Sequence, residues 1–307
     1  MKFEETNRLS AIFNRLFKPY EERVPVVEKI FREMEERKII NDRSEIVNDH
    51  IAFRTLGVPH LGVTSFEKIF LHYGYQKKDY FHFEGKKLNA WWYAPPEEHF
   101  PRIFISELRV GDLSEESQQT IESYTSFLNG DPVDKLDLDD VDQVGAFFER
   151  PLWPLPSYAD YQLLSKESEY AAWVIYNRYY LNHYTISVHA LKEGYNTLVA
   201  FNAFLQSIGI RLNDAGGKIK TSPDGLLAQS STVADMVHAH FSDGKMTLIP
   251  GSYLEFAERR VLPEFSHLPK DQIKREHRRD GFETGNADKI FESTFSTQTQ
   301  KTNEATS

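Results

Sequence analysis

One texture occurs twice along this chain, and that repetition limits the possible folds more than any other feature. In residues 45–112, "EIVNDHIAFRTL" alternates like a strand and "TSFEKIFLHYGY" has the spacing of a helix closed by Gly74. Three further strand candidates follow, "KKDYFHFEG", "KLNAWWYAPP" and "RIFISELRV". Residues 179–262 repeat the order with the strand "YLNHYTISVHAL" and the helix "NTLVAFNAFLQSIGI". The segments "GGKIKTSPDGLLAQSST", "ADMVHAHFSDGKMTLI" and "GSYLEFAERR" then complete the sheet-forming stretches, with extra turns at "SPDG" and "SDGK". Each unit opens with an asparagine and then a histidine near the strand start. Each closes with a strand that contains a glutamate. Two such βαβββ units can pair their sheets into a half-open barrel.

The flanks are helical. Residues 1–44 carry Leu9, Ile12, Phe13, Leu16 and Phe17 at the spacing of one helix face, and a second helix is expected after Pro25. Residues 113–178 read as a helical insertion, acidic in parts, with a Pro-rich break at "RPLWPLPSY". Residues 263–307 form a C-terminal segment whose polar tail, "STFSTQTQKTNEATS", is expected to be disordered at its end. The expected class is therefore α+β: two βαβββ units in a half-open β-barrel, with N-terminal helices and a helical insertion, as one compact domain.

Composition removes several function classes. With 307 residues, 40% of them hydrophobic, the chain can bury a substantial core. A formal net charge of −10 argues against nucleic acid or an anionic membrane as the main partner. The absence of cysteine excludes disulfides and thiolate metal sites, so any metal must be held by His, Asp, Glu or water. No signal peptide or bilayer-length apolar run is apparent, which makes the cytoplasm the default expectation.

In "NDHIAFRTLG", alternation puts His50, Ala52 and Arg54 on one strand face and Ile51, Phe53 and Thr55 on the other. Packing explains the apolar face but not a base and a cation together. If the opening and closing strands lie centrally, His50, His183 and Glu255 point inward. Two imidazoles and a carboxylate that leave one face of an octahedron open suit a non-haem Fe(II). No HExxH-type spacing occurs, so this triad rests on the assumed fold.

At these blocks a resemblance becomes specific. "NDHIAFRT", "RIFISELRV", "YLNHYTISVH", "GLLAQSSTVAD", "IPGSYLEFAERR" and "GFETGNADKIFEST" resemble the 2-oxoadipate dioxygenase/decarboxylase family, over roughly residues 45–295. That family is related to hydroxymandelate synthase in the vicinal oxygen chelate superfamily. The resemblance implies Fe(II) held by His50, His183 and Glu255, with Arg54 positioning the substrate. It implies that a 2-oxo dicarboxylic acid, 2-oxoadipate, reacts with O₂ to give 2-hydroxyglutarate and CO₂ in lysine catabolism. No separate 2-oxoglutarate is needed, since the substrate supplies its own 2-oxo acid. The chain is shorter than members of characterised activity, whose additional segments bear part of the substrate pocket. In "LLAQSST", Gln229, Ser230 or Ser231 is expected to meet the substrate's first carboxylate.

Rival assignments stay in view. His189 shares the expected strand face of His183, Glu258 lies opposite Glu255, and Glu107 reads as a structural group or an ion-pair partner for Arg54. His238 and His240 share a face at i, i+2, but no third ligand accompanies them. The run "DKLDLDDVDQ" lacks the glycine and terminal glutamate of a calcium loop, and "GGKIKTSPDG" lacks the P-loop ending. Two other functions compete with the oxygenase: isomerase or lyase chemistry on another divalent ion, and non-enzymatic binding of a dicarboxylate. The oligomeric state is not legible.

Overall fold

The alternation of the duplicated segments translates into two mirrored half-sheets. The computed structural model describes residues 3–4 and 7–301. The first unit comprises β1 (Asn48–Leu56), α3 (Val63–His72), β2 (Gln76–Phe83), β3 (Leu88–Ala94) and β4 (Arg102–Leu108). It follows helices α1 (Arg8–Arg23) and α2 (Pro25–Glu36). The insertion holds α4 (Glu115–Thr125), α5 (Val141–Glu149), α6 (Tyr158–Glu167) and α7 (Glu169–Asn177). The second unit comprises β5 (His183–Ser187), α8 (Leu198–Ser207), β6 (Lys220–Thr221), β7 (Leu227–Ser231) and β10 (Tyr253–Arg259), interrupted by the hairpin β8 (Met236–His240) and β9 (Met246–Pro250). Helices α9 (Thr284–Phe291) and α10 (Ser296–Thr299) end the described chain.

Eight strands form one mixed sheet in the order β2-β3-β4-β1-β5-β10-β7-β6. Within each unit the first strand runs parallel to the last, β1 with β4 and β5 with β10. The units meet antiparallel at β1 and β5. The sheet curls into a half-barrel, as the duplicated pattern predicts. The stretch "ADMVHAHFSDGKMTLI" departs from expectation: β8 and β9 pair with each other in a separate two-stranded sheet. Met236, Met246 and Leu248 are exposed, and the hairpin's buried face, Ala239 and Ile249 with the adjoining Phe241, packs on Tyr158, Tyr161 and Tyr176 of the insertion rather than on the main sheet.

The outer face is the apolar one. Ile51, Phe53, Tyr184, Ile186, Leu254 and Phe256 are buried there. Phe53 packs on Phe66 of α3 at 4.7 Å, Phe256 on Phe201 of α8 at 5.2 Å, and Tyr184 on Phe17 of α1 at 5.4 Å. Each such ring, fully buried, contributes about 1.5–3 kcal/mol of transfer free energy. The N-terminal helix α1 thus packs on the face opposite the histidines. The inner face is covered instead by residues 282–294. There Asn286 reaches Gln229, the Phe291 carbonyl meets Arg54 and Ser293 meets Ser231. This part of the tail is ordered because its polar groups are buried and paired: Gln298 is also inside, its carbonyl accepting from Arg211. The expected disorder concerns the end of the tail, and residues 302–307 lie outside those described.

Candidate metal centre

The three central strands bring together side chains that are far apart in sequence. Ala52 of β1 and Tyr253 of β10 both flank His183 of β5, so alternate residues of all three strands share the inner face. His183 Nε2 lies 3.0 Å from Glu255 Oε2, His50 Nε2 lies 3.5 Å from Glu255 Oε1, and the two Nε2 atoms are 3.4 Å apart. All three residues are buried, and they form the one such group of potential metal ligands among the described residues.

Each imidazole is aimed by the residue before it. His50 Nδ1 donates to Asp49 Oδ1 at 2.8 Å, and His183 Nδ1 donates to Asn182 Oδ1 at 3.0 Å. Holding the proton on Nδ1 leaves Nε2 as an acceptor, which is the arrangement ligating histidines adopt; at His50 that acceptor meets the Thr185 hydroxyl at 3.0 Å. Asp49 is itself gripped by the buried Arg259, through Nε at 2.7 Å and Nη2 at 2.9 Å. Glu255 Oε1 accepts from Gln229 Nε2 at 2.7 Å, and Gln229 Oε1 accepts from Asn286 at 3.0 Å.

Electrostatics follow from burial and these neighbours. Burial would raise the pKa of Glu255, but the two imidazoles outweigh it and hold the carboxyl well below its ordinary range. Burial disfavours the charged form of His183 and prevails there. At His50, the Glu255 and Asp49 carboxylates overcome burial and raise the pKa. Neutral imidazole, carboxylate and fixed lone pairs converging on one point fit a divalent cation.

Among the described residues the mirrored half has no second group of this kind. Glu107 Oε2 accepts from the Val63 N–H at 2.8 Å, and Glu258 Oε2 accepts from the Leu198 N–H at 2.8 Å. Both glutamates cap the first turn of their unit's helix, so they correspond to each other. Three residues before Glu258 stands Glu255, and three before Glu107 stands Phe104. Phe104 packs on Phe282, which also edges onto His50 at 4.8 Å. An apolar wall occupies the place of a second carboxylate. Glu107 cannot neutralise Arg54, because its neighbour Ser106 is the residue paired across from Arg54.

Arg54 lies on the inner face, buried among Tyr170, Trp173 and Phe291 with its guanidinium 5.0–5.7 Å from their ring centres. It donates to Thr294 Oγ1 at 2.9 Å and to the Phe291 carbonyl at 3.0 Å. Its Nε and the nearby Tyr253 hydroxyl are buried without a hydrogen-bond partner. No carboxylate among the described residues forms an ion pair with it.

The "LLAQSST" strand divides its residues between faces. Gln229 and Ser231 lie on the inner face, opposite Ala257 and Glu255. Ser230 pairs with Phe256, points outward and donates to Asn202 Oδ1 at 2.8 Å, so strand alternation removes it from the site. Ser231 is tied to Ser293 at 2.8 Å, and both ends of Gln229 are engaged as described. His189 falls in a turn beyond the end of β5, where its Nδ1 accepts from the Arg259 N–H at 3.2 Å. His238 and His240 are exposed on the β8–β9 hairpin. Sequence reasoning missed Lys220, a buried lysine on β6 opposite Gln229, whose Nζ donates to the Asn213 carbonyl at 2.7 Å. Burial lowers its pKa to about 8. The one available signal was a lysine within the stretch "GGKIKTSPDGLLAQSST", which reads as sheet-forming.

The doubled βαβββ half-barrel is a fold that this chain shares with glyoxalase-like proteins. A putative glyoxalase superfamily protein from Ralstonia eutropha shares the fold, with a TM-score of 0.70 at 20% identity over 93% of this chain and 90% of that one. The model of the 2-oxoadipate dioxygenase/decarboxylase family matches residues 12–268, and the chain belongs to that family. It is 46% identical over 268 residues to a chloroplastic 2-oxoadipate dioxygenase/decarboxylase of Arabidopsis thaliana, covering 84% of this chain and 70% of the relative. The hydroxyglutarate synthase of Oryza sativa, solved in complex with 2-oxoadipate, superposes with a TM-score of 0.87 at 41% identity, over 98% of this chain and 96% of that one. The expectation of a dioxygenase/decarboxylase enzyme stands. That of a cytoplasmic protein does not, because this relative is chloroplastic. No helix among the described residues is long and apolar enough to cross a membrane.

Proposed function

We propose that this protein converts 2-oxoadipate and O₂ into 2-hydroxyglutarate and CO₂, with Fe(II) held by His50, His183 and Glu255. The convergence of those three side chains on one buried point is the observation that carries the reading. When bound, the iron supplies open positions for a 2-oxo acid and the electrons that activate O₂. The carboxylate lost as CO₂ takes two oxygens, and the remaining five stay in the shortened, hydroxylated acid.

The chain's own residues have three tasks. Asp49, Asn182 and Gln229 lock the ligands, so that no rotamer search precedes substrate binding. Arg54 and Lys220 are two inward-facing, buried cations without a carboxylate partner, a pattern that suits an anionic substrate. The unpaired Arg54 Nε and Tyr253 hydroxyl are donors for one of its carboxylates, with the planar guanidinium offering a fork that fits it. Phe104, Phe282 and Trp92 exclude water from the reaction's reactive stages. Membership of the family and likeness to an enzyme solved with 2-oxoadipate support the choice of substrate.

The test is turnover of 2-oxoadipate by Fe(II)-loaded protein in air, following O₂ uptake and 2-hydroxyglutarate. Equal amounts of the three are expected to be consumed or formed. No product from fully loaded protein rejects the substrate, and product formed without O₂ rejects the oxygenase in favour of isomerase or lyase chemistry.

A further inference from the structure

A second concave region lies beyond the Asp49 side of the metal centre. It is a cavity of about 450 Å³ whose walls include Arg102, Arg259, Lys274, Arg275 and Arg278, against the acids Asp49 and Glu98. His99 and His189 also face it. Such a volume is in the range of small-ligand sites. In a chain of net charge −10, this excess of positive groups is local and concentrated.

The cations divide into two sets. Arg259 is matched by the two oxygens of Asp49, and Arg102 by Asp280 at 2.6 Å. Arg275 and Arg278 are not matched by any carboxylate among the described residues. Arg275 Nη1 donates to the Phe100 and Glu98 carbonyls, and Arg278 Nη1 donates to the Arg259 carbonyl at 2.8 Å. These backbone bonds hold the guanidinium groups in place without neutralising them. Arg275 Nη2 is buried with no hydrogen-bond partner at all. The exposed Lys274 forms no ion pair among these residues and stands at the rim. A buried, unpartnered N–H on a charged group costs free energy that a bound oxyanion would recover.

From this we infer that the cavity is a second anion site, distinct from the metal centre, which takes a small molecule bearing two or more carboxylate or phosphate groups. Two or three negative charges balance Lys274, Arg275 and Arg278, and planar guanidinium forks suit either oxyanion. The site would bind its ligand whether or not the iron-dependent reading of the triad holds.

Calorimetric titration of the whole protein with citrate and, separately, inorganic pyrophosphate at low ionic strength tests the inference. At least one probe is expected to bind at one equivalent and to weaken steeply with added salt. Arg275→Gln and, independently, the exposed-site variant Lys274→Glu should each lower affinity at least 10-fold, while Glu255→Gln leaves it unchanged. The bound probe should not compete with 2-oxoadipate in steady-state turnover. The inference is overturned if neither probe binds, or if both charge variants bind like the parent. It is also overturned if Glu255→Gln abolishes binding or if inhibition is purely competitive, since the anion would then occupy the metal centre or its mouth.

Discussion

Asp49→Asn separates two roles that a single carboxylate now serves. Asp49 receives the His50 Nδ1–H and both Arg259 donors within 2.9 Å, and all three side chains are buried. The amide keeps an acceptor of the same shape, and Asn182 already aims His183 with such a group. Orientation of His50 should therefore largely survive. The charge does not, and Arg259 is left as a buried cation whose other acceptors are the Arg279 and Gly281 carbonyls. Breaking one partner from a buried pair costs about 3–5 kcal/mol. Loss of the carboxylate behind a ligating histidine lowers metal affinity about 10–100-fold. Urea unfolding of chelator-treated protein reads the first effect, and Fe(II) titration under argon reads the second. The double variant Asp49→Asn/Arg259→Met should regain most of the lost stability while metal affinity stays low, because only the stranded charge is repaired. If the single variant unfolds at the parent's urea concentration, or the double variant is the less stable of the two, the assignment of Asp49 as Arg259's counter-charge is wrong.

Four further outcomes are expected. Arg54→Lys keeps a cation but not the fork and should lower kcat/KM for 2-oxoadipate about 100-fold, the loss of roughly 3 kcal/mol of charge-assisted hydrogen bonding; unchanged kinetics would remove Arg54 from the substrate. Lys220, with a pKa of about 8, loses its charge as pH rises through that value, so kcat/KM should fall above it and Lys220→Met should flatten that limb of the profile. Burial, with Arg278 adding to it, pushes the pKa of His189 down to about 4. The stability this buried neutral ring contributes is complete above its unfolded pKa of about 6.5 and is lost as pH falls towards 4, by about 3 kcal/mol; His189→Gln should show a shallower loss in urea titrations across that window. Ser230→Ala should leave KM within twofold of the parent, since its hydroxyl faces α8, and a large rise in KM would refute the strand register.

Much of the placement of the candidate metal ligands is legible in the chain, because period-2 alternation fixes which residues of a strand share a face. That put His50 with Arg54 and separated Glu255 from Glu258, and both relations hold in β1 and β10. The same rule could have told Ser230 from Ser231, but only once the register of β7 against β10 was known. The repeated Asn-and-histidine opening signalled the duplication, although the residue corresponding to Asn182 is Asp49 rather than the Asn48 that the motif suggested.

By itself, the order of amino acids determined the local elements, the two βαβββ units and the chemistry available on each strand, since periodicity and residue type act over a few positions. Tertiary structure alone decided that β1, β5 and β10 lie side by side, so that two histidines and a glutamate scattered along the chain meet. It also decided that Phe104 walls off the mirrored site, that a polar-looking tail seals the inner face, and that the arginines beyond Asp49 surround a cavity. Those outcomes depend on strand order and on long-range burial of polar groups, neither of which leaves a short-range pattern in the chain.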